Sequence, residues 1–166
     1  ARVRLACFDV DGVMTDGGLY YSDLGHESKR FHVMDGLGLK MLVESSIHVA
    51  VITARDTPAV AKRMQDLGIR HVFAGVPDKR ACMLDLAAQL GLGIEDVAHV
   101  GDDFPDLGLL GTVGFAIAVA NAHPVIAHVA HWRTQRNGGH GAVREVCELL
   151  LAAQGKLGGA IQRFRG

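Results

Sequence analysis

Residues 7–17 read Cys-Phe-Asp-Val-Asp-Gly-Val-Met-Thr-Asp-Gly, and this stretch decides the fold of the chain. The apolar run that leads into it predicts a buried strand, which stops abruptly on two carboxylates, Asp9 and Asp11, with Gly12 directly behind them. Packing alone does not favour such an ending, because it places two oxygen-rich groups at the carboxyl end of a strand. Open α/β sheets keep their sites at that edge. We therefore interpret the stretch as a phosphoryl-transfer centre.

The bulk composition narrows the class of protein. The chain has 166 residues, 49% of them hydrophobic, so we expect a single domain over residues 1–166. The formal net charge is −1 and the basic residues are scattered, so we expect no nucleic-acid partner. No apolar run approaches the ~18–20 residues that cross a bilayer and no basic-then-apolar leader precedes the first strand, so we expect no membrane partner. Three cysteines without a C-x-x-C pattern, Cys7, Cys82 and Cys147, favour a reducing cytoplasm.

Strands alternate with helices along the rest of the chain. The predicted strands, mostly buried, cover 2–10, 49–52, 71–74, 97–100 and 115–119, with a short one near Trp132. Helical patterns follow Asp35, Thr57 and Asp78, and a last one covers 142–153. This alternation predicts an α/β fold with a doubly wound parallel sheet. Outside the sheet we expect a projecting β-hairpin over about 18–33 and a loose tail over about 155–166.

Polar side chains lie at or near four strand ends, and together they indicate one chemistry. In chain order they are Asp9 with Asp11, Thr53, Lys79 near the third strand, and Asp102 with Asp103. Because parallel strands with right-handed crossovers end at one edge of the sheet, we expect these side chains to meet. Carboxylates from two strands are typical of a Mg²⁺ site that also holds a substrate phosphate. Mg²⁺ and Lys79 would offset the repulsion between a carboxylate and a phosphate dianion.

The first three residues of this set divide into chemical roles. Asp9 is the predicted nucleophile, which would form an aspartyl-phosphate. Asp11 lies in the turn after the strand, where it is placed to protonate the leaving alkoxide and later to deprotonate the hydrolytic water. Thr53 is expected to donate a hydrogen bond to a phosphoryl oxygen.

The acidic motif after the fourth strand completes the predicted centre. We expect Asp102 to complete the metal site and Asp103 to orient metal-bound water or Lys79. Asp106, next to Pro105, we interpret as a helix cap.

Three other classes of protein share parts of this pattern. A signalling receiver domain also combines an acidic pair, a threonine and a lysine, but its acidic pair ends the first strand and its phosphoacceptor lies later. A non-catalytic regulatory subunit is an alternative, because fold does not fix function. A zinc protein would have to use His123, His128 and His131 without cysteines or an H-E-x-x-H pattern.

In combination, these motifs resemble a known family. D-V-D-G-V-M-T-D at 9–16, Thr53, Lys79 and G-D-D-x-x-D at 101–106 resemble the four motifs of the haloacid dehalogenase superfamily of phosphatases, which have a Rossmann-like core. A closer resemblance covers nearly the whole chain, through the hairpin and the segments at 31–38, 119–124 and 141–147. It is to the small 3-deoxy-D-manno-octulosonate 8-phosphate phosphatases of lipopolysaccharide biosynthesis, which have no cap domain.

The resemblance implies both a site and an assembly. It implies a cytoplasmic homotetramer in which the hairpins form a barrel and a neighbouring subunit covers each active site. It implies Mg²⁺ bound by Asp9, the main-chain carbonyl of Asp11, and Asp102. The substrate, a small sugar-acid phosphate, would be contacted by His32, Val33, Met34, Asp35, Gly36, Lys40, Arg55, Arg63 and Lys79. Cations suit a sugar acid, because its phosphate and its carboxylate both need counter-charge.

Three positions depart from the pattern of that family. Met34 stands where a basic residue is frequent, Ala54 where glycine is usual, and His140 in place of an arginine. A nine-carbon 2-keto-3-deoxy acid phosphate is therefore the alternative substrate. The tail resembles a flexible C-terminus that can enter a neighbour's site, but for Arg163 and Arg165 we expect a solvated position.

Overall fold

The computed structural model describes residues 2–165. In it the chain folds around a six-stranded sheet. Its strands are β1 (Leu5–Phe8), β4 (His48–Ile52), β5 (His71–Phe73), β6 (Val97–Gly101), β7 (Phe115–Ala118) and β8 (Trp132–Arg133). They lie in the order β5-β4-β1-β6-β7-β8, and each neighbouring pair is parallel. The doubly wound parallel sheet expected from the sequence is thus confirmed.

The helices flank this sheet. They are α1 (Val33–Glu44), α2 (Pro58–Leu67), α3 (Lys79–Gln89), α4 (Leu107–Leu110), α5 (Pro124–Val129), α6 (Ala142–Ala153) and α7 (Leu157–Gln162). The boundaries of α2 follow the predicted signals, since Pro58 occupies its first turn and Gly68 ends it at a φ of 70°. The Asp78 side chain caps α3 by accepting a 2.9 Å hydrogen bond from the Ala81 amide. No helix among residues 2–165 is long and apolar enough to cross a membrane.

The position of β1 explains where the acidic stretch emerges. Its side chains are fully buried, and β4 and β6 flank it on either side. From β1 the chain order of the strands runs in opposite directions, which is the topological switch point where α/β sheets form a crevice. Asp9 follows β1 directly and therefore stands in the middle of that crevice.

The hairpin is present but shorter than predicted. It consists of β2 (Tyr20–Tyr21) and β3 (Glu27–Ser28), which pair antiparallel, and an isolated bridge joins Thr15 to Phe31 at its base. The base is also fixed by Asp16, which accepts hydrogen bonds from the Gly18 amide at 2.9 Å and the Tyr20 hydroxyl at 2.6 Å.

The expectation of a loose tail from residue 155 onward is wrong for most of that segment. Residues 157–162 form α7, whose Leu157 and Ala160 pack against the core. After it, the Arg163 guanidinium donates to Glu44 at 2.9 Å and to the Ser45 hydroxyl at 3.2 Å. Two apolar contacts and an ion pair thus order a glycine-containing segment; Gly166 lies outside the described residues.

Candidate active site

Asp9 and Lys79 form the centre of the crevice. Both are almost fully buried, and the Lys79 ammonium lies 2.8 Å from Asp9 Oδ1. Lys79 is the first residue of α3, so the start of that helix delivers its charge to the end of β1. The structure thus brings together two of the side chains that we expected to meet.

Asp106 is the second partner of that lysine, and its interpretation as a helix cap is wrong. Its side chain makes no capping hydrogen bond to α4. Instead, Oδ1 accepts from Lys79 at 2.9 Å and lies 3.0 Å from the buried His99 Nε2, while Oδ2 accepts from the Asp102 amide at 3.2 Å. The spacing of G-D-D-x-x-D was the signal that could have identified it, because a short turn over Phe104–Asp106 carries the third aspartate back toward the strand end.

One part of the role expected for Asp103, the orientation of Lys79, falls to Asp106 instead. The Asp103 carboxylate accepts a 2.8 Å hydrogen bond from the Phe104 amide and is exposed. It does not contact Lys79, because its oxygen is used to cap the short turn that follows.

Asp102 completes a cluster of acidic groups. Oxygens of Asp9, Asp102 and Asp106 all lie within 4.8 Å of one another. Gly12, at a φ of 85°, allows this approach, since a Cβ at that position would lie 2.0 Å from Asp102 Oδ2. Because both oxygens of Asp106 already accept hydrogen bonds, Asp9 and Asp102 are the carboxylates left to bind a cation.

The electrostatics of the cluster fit a divalent cation. Burial and the neighbouring Asp106 carboxylate raise the pKa of Asp9 to about 6, although Lys79 opposes the rise. Burial and the Asp9, Asp106 and Asp103 carboxylates raise the pKa of Asp102 to about 7. Burial by itself would raise the pKa of Asp106, but the hydrogen bond from His99 and the charge of Lys79 outweigh it and lower that pKa to about 2. One lysine thus leaves the negative charge under-compensated.

A cavity of about 340 Å³ opens above this cluster. Its lining includes all six residues at the strand ends that the sequence singled out: Asp9, Asp11, Thr53, Lys79, Asp102 and Asp103. Ala54 and Arg55 also line it. The buried Thr53 hydroxyl accepts a 3.2 Å hydrogen bond from the Arg55 amide, which orients it at the end of β4.

A lysine of the hairpin, Lys29, was not predicted as a site residue. It contacts Asp11, which lines the cavity, but does not line the cavity itself. The Lys29 ammonium pairs with Asp11 Oδ1 and lies 2.9 Å from Glu27 Oε1. Glu27 Oε2 in turn pairs with the Arg55 guanidinium. Burial alone would lower the pKa of Lys29, but the two carboxylates outweigh it and raise the pKa. No local pattern marks Lys29, because its partner Asp11 lies far away along the chain.

The other predicted substrate residues do not line this cavity. Val33, Gly36, Lys40 and Arg63 line a separate cavity of about 280 Å³. Arg63 lies over the Phe31 ring at 5.9 Å and donates to the His32 carbonyl at 3.5 Å.

Asp35 and Met34 also lie away from the centre. The buried Asp35 accepts a 2.8 Å hydrogen bond from the Arg144 amide, which joins α1 to the start of α6. Met34 lines a third cavity beside Arg136 and Arg144. For these residues and for those of the second cavity, substrate contact stays a prediction.

Two of the three histidines of the alternative zinc site are used elsewhere. His123 Nδ1 accepts from the Val125 amide at 3.2 Å, and His131 Nδ1 accepts from the Ala116 amide at 2.9 Å. Among residues 2–165, the acidic cluster is the one group of potential metal ligands that the geometry brings together.

His140, the third departure from the family pattern, contacts the hairpin. Its Nδ1 lies 2.8 Å from the Gly138 carbonyl and its Nε2 lies 3.0 Å from Arg30. A proton on Nδ1 would satisfy both contacts, since Nε2 then accepts from the guanidinium.

Comparisons with known proteins agree with this geometry. The sequence model of one protein family, the haloacid dehalogenase-like hydrolases, matches residues 74–146. The 3-deoxy-D-manno-octulosonate 8-phosphate phosphatase of Yersinia pestis is 46% identical over 160 residues, which is 96% of this chain and 86% of that protein.

Solved structures show the same likeness. A hypothetical protein from Xanthomonas campestris is 54% identical with a TM-score of 0.97, and the match covers 100% of this chain and 91% of that one. The 3-deoxy-D-manno-octulosonate 8-phosphate phosphatase from Moraxella catarrhalis, crystallised with magnesium, phosphate and KDO, is 41% identical with a TM-score of 0.95. That match covers 98% of this chain and 94% of the other.

Proposed function

The chain belongs to the haloacid dehalogenase-like hydrolases, in the family of the 3-deoxy-D-manno-octulosonate 8-phosphate phosphatases, and from this membership we propose that it releases inorganic phosphate from that sugar-acid phosphate in lipopolysaccharide biosynthesis. Members of this family are phosphoric monoester hydrolases. The observation that carries the proposal is the direct contact of Asp9 with Lys79 inside a cavity that Asp11, Thr53 and Asp102 also line.

Mg²⁺ is the proposed cofactor, and the donor set fits it. Asp9 and Asp102 offer carboxylate oxygens with raised pKa values, and the main-chain carbonyl of Asp11 is the expected third ligand. Hard oxygen donors of this kind suit Mg²⁺. When bound, the ion would supply positive charge that lets an anionic carboxylate and a phosphate dianion approach each other.

The chain's own residues divide the proposed reaction between two aspartates. The Asp9 carboxylate attacks phosphorus, an aspartyl-phosphate forms, and the bond from phosphorus to the sugar oxygen breaks. Asp11 gives its proton to the departing alkoxide and then takes a proton from the water that hydrolyses the aspartyl-phosphate. Phosphate leaves, and Asp9 is regenerated.

Lys79 and Thr53 hold the phosphoryl group in this scheme. Lys79 contributes charge at the phosphoryl oxygens, and Asp106 keeps its ammonium in place through a 2.9 Å hydrogen bond. The Thr53 hydroxyl is oriented by the Arg55 amide and donates to a phosphoryl oxygen. Such fixed donors stabilise the charge that develops on phosphorus.

The sugar acid itself needs cations beyond this centre. Arg55 lines the cavity of its own chain, whereas Lys40 and Arg63 lie in the second cavity. We therefore propose a homotetramer in which a neighbouring subunit supplies part of the substrate site and covers it. The three free thiols suit the proposed cytoplasmic location.

Two alternatives stay open. Met34 in place of a basic residue keeps a nine-carbon 2-keto-3-deoxy acid phosphate as the second candidate substrate. A non-catalytic regulatory subunit is less favoured by the site, since every residue of the proposed chemistry is present in the cavity.

The nucleophile is tested with Asp9→Asn under saturating Mg²⁺. We expect phosphate release from the eight-carbon substrate to be abolished, while Asp66→Asn, which changes an exposed aspartate on α2, retains wild-type turnover. Wild-type turnover by Asp9→Asn contradicts the mechanism.

The substrate is tested by comparing kcat/KM for eight-carbon, nine-carbon and simple hexose phosphates. Preference for the eight-carbon acid is the expected result. Equal activity on all of them contradicts the substrate assignment without affecting the mechanism.

A further inference from the structure

A charged side chain is buried where the hairpin meets the catalytic turn. The Lys29 side chain is only 1% exposed, although lysine normally keeps its ammonium in water. Burying an ammonium is costly unless anionic partners surround it. Here the partners are Asp11 and Glu27, and Glu27 also pairs with Arg55. The four side chains form a line of alternating charge from the end of β1 to the residues that follow β4.

Within this row of charges, Lys29 is the side chain that contacts the Asp11 carboxylate, and it does so from outside the cavity. Asp11 lines the cavity and its side chain is 27% exposed, whereas Lys29 does not line the cavity. Lys29 engages Oδ1 of Asp11, so Oδ2 is the oxygen left to face a leaving group. Asp11 lies beyond the end of β1, in a turn that backbone hydrogen bonds to the Val10 carbonyl close. These bonds fix its backbone but not its carboxyl, and Lys29 is the side chain that engages that carboxyl.

We propose that Lys29 is a positioning residue that holds the Asp11 carboxyl in the orientation required for proton transfer to the leaving oxygen. The proposal rests on the proposed acid–base role of Asp11. Lys29 acts through Asp11 and does not touch the reacting atoms. Since Lys29 follows β3, the hairpin is coupled to the chemistry, and the Glu27–Arg55 pair extends the same coupling to the predicted substrate residue Arg55.

The test separates a positioning role from a structural one by the leaving group. The value of kcat/KM reports the steps up to departure of the leaving group; an alkoxide needs a proton to depart, whereas p-nitrophenolate does not. We expect Lys29→Met to lower kcat/KM for the eight-carbon sugar phosphate by about 10- to 100-fold, a fraction of what general acid catalysis supplies. For p-nitrophenyl phosphate the loss should be much smaller.

Arg30→Met is the matched control on the same hairpin. Arg30 lies 3.6 Å from Asp16 and contacts His140, so its removal loses a hairpin ion pair without touching Asp11. It should leave the ratio of the two kcat/KM values unchanged. Lys29→Met alone leaves the Glu27 carboxylate without its lysine partner and can destabilise the fold. In that case the double variant Lys29→Met/Glu27→Gln removes both charges, and we expect the same change in the ratio of the two kcat/KM values.

A double-mutant cycle closes the argument. In an Asp11→Asn background, Lys29→Met should cause no further loss, because the side chain it positions is already inactive. Equal losses on both substrates, or an additive loss in this background, overturn the positioning role. The proposed function fails separately: it is contradicted if the wild-type enzyme releases no phosphate from the sugar phosphate. The acid–base role of Asp11, and with it the positioning role of Lys29, is contradicted if Asp11→Asn retains wild-type activity on that substrate.

Discussion

Two aspartates of one acidic motif, three residues apart, have opposite surroundings, and this contrast shows how the site is built. Asp106 is buried and accepts hydrogen bonds from a lysine, a histidine and a backbone amide. Asp103 is exposed and caps a short turn. Charge of the same type therefore holds the Lys79 ammonium at one position and caps a turn at the other.

The pair gives a matched test of this division. Asp106→Asn removes the buried charge that holds Lys79, and we expect kcat/KM for phosphate release to fall by about 10- to 100-fold, as is typical of residues that orient a catalytic group. Asp103→Asn should stay near wild type. Steady-state kinetics at saturating Mg²⁺ measure both, with thermal unfolding as a check on folding. If Asp103→Asn lowers kcat/KM more than Asp106→Asn does, Asp103 and not Asp106 is the residue that orients the catalytic groups.

The raised pKa values of Asp9 and Asp102 predict a pH-dependent stability for the metal-free enzyme. Both carboxyls hold protons more tightly in the folded state, so the folded state is favoured as the pH falls from about 7 toward the unfolded value of 3.8. In EDTA we therefore expect Tm to be higher at pH 5 than at pH 8. The lowered pKa of Asp106 acts as the pH falls from 3.8 to about 2, below this window.

The comparison that isolates this effect uses Mg²⁺ and one variant. The lowered pKa of His71 acts in the opposite direction. It is the same in the wild type and in the Asp102→Asn variant, so it cancels when the slopes of Tm against pH of the two proteins are subtracted. Asp102→Asn should flatten the dependence of Tm on pH, and saturating Mg²⁺ should raise Tm more at pH 8 than at pH 5. A change of about 1 kcal/mol corresponds to roughly 2–4 °C in a domain of this size. An unchanged slope in the variant would contradict the raised pKa of Asp102.

At the scale of elements, the sequence predicts well what is encoded locally. The apolar run of β1 and the Thr57-Pro58 start and Gly68 stop of α2 are patterns of neighbouring residues, and the structure reproduces them. The side-chain pairings of Lys29 with Asp11 and of His99 with Asp106 are set by tertiary packing, which no local pattern records. Polar residues at strand ends therefore identify the lining of the cavity, whereas the residues that support this lining are determined by tertiary packing.

The helix α7 was missed for a related reason. Its composition, with Gly158 and Gly159, disfavours a helix, and the contacts of Leu157 and Ala160 with the core outweigh that propensity.

Two glycines of this region give a test of α7. A Cβ at Gly158 meets no atom within 4 Å, so Gly158→Ala should stabilise the enzyme by up to about 1 kcal/mol through helix propensity and lower unfolded-state entropy. Gly155 has a φ of 67°, so Gly155→Ala should destabilise the enzyme by roughly 1–2 kcal/mol. Thermal unfolding measures both shifts. If neither variant moves Tm, the segment is not ordered as described.

At the scale of the whole molecule, a group of exposed apolar residues lies on and beside the projecting hairpin. Apolar side chains of the hairpin stand in solvent at Leu19, Tyr20, Tyr21 and Leu24. Val33, beside the hairpin, is 81% exposed and lines the second cavity together with Lys40 and Arg63. Exposed apolar groups on a projecting element are typical of an interface. The proposed tetramer would cover them and bring a neighbour's cations to each catalytic cavity.

Leu24 tests this assembly, because it is 84% exposed at the hairpin turn and is not among the residues that line the catalytic cavity. A carboxylate there would have to be desolvated between packed hairpins, so Leu24→Asp should convert the tetramer into smaller species and lower kcat/KM on the sugar-acid phosphate. Light scattering at micromolar concentration and kinetics on the same samples measure the two effects. Ile94→Asp, at another exposed apolar position away from the hairpin, should change neither. A wild-type enzyme that is monomeric and fully active would remove the intersubunit cover, and Lys40 and Arg63 would then have no route to the substrate.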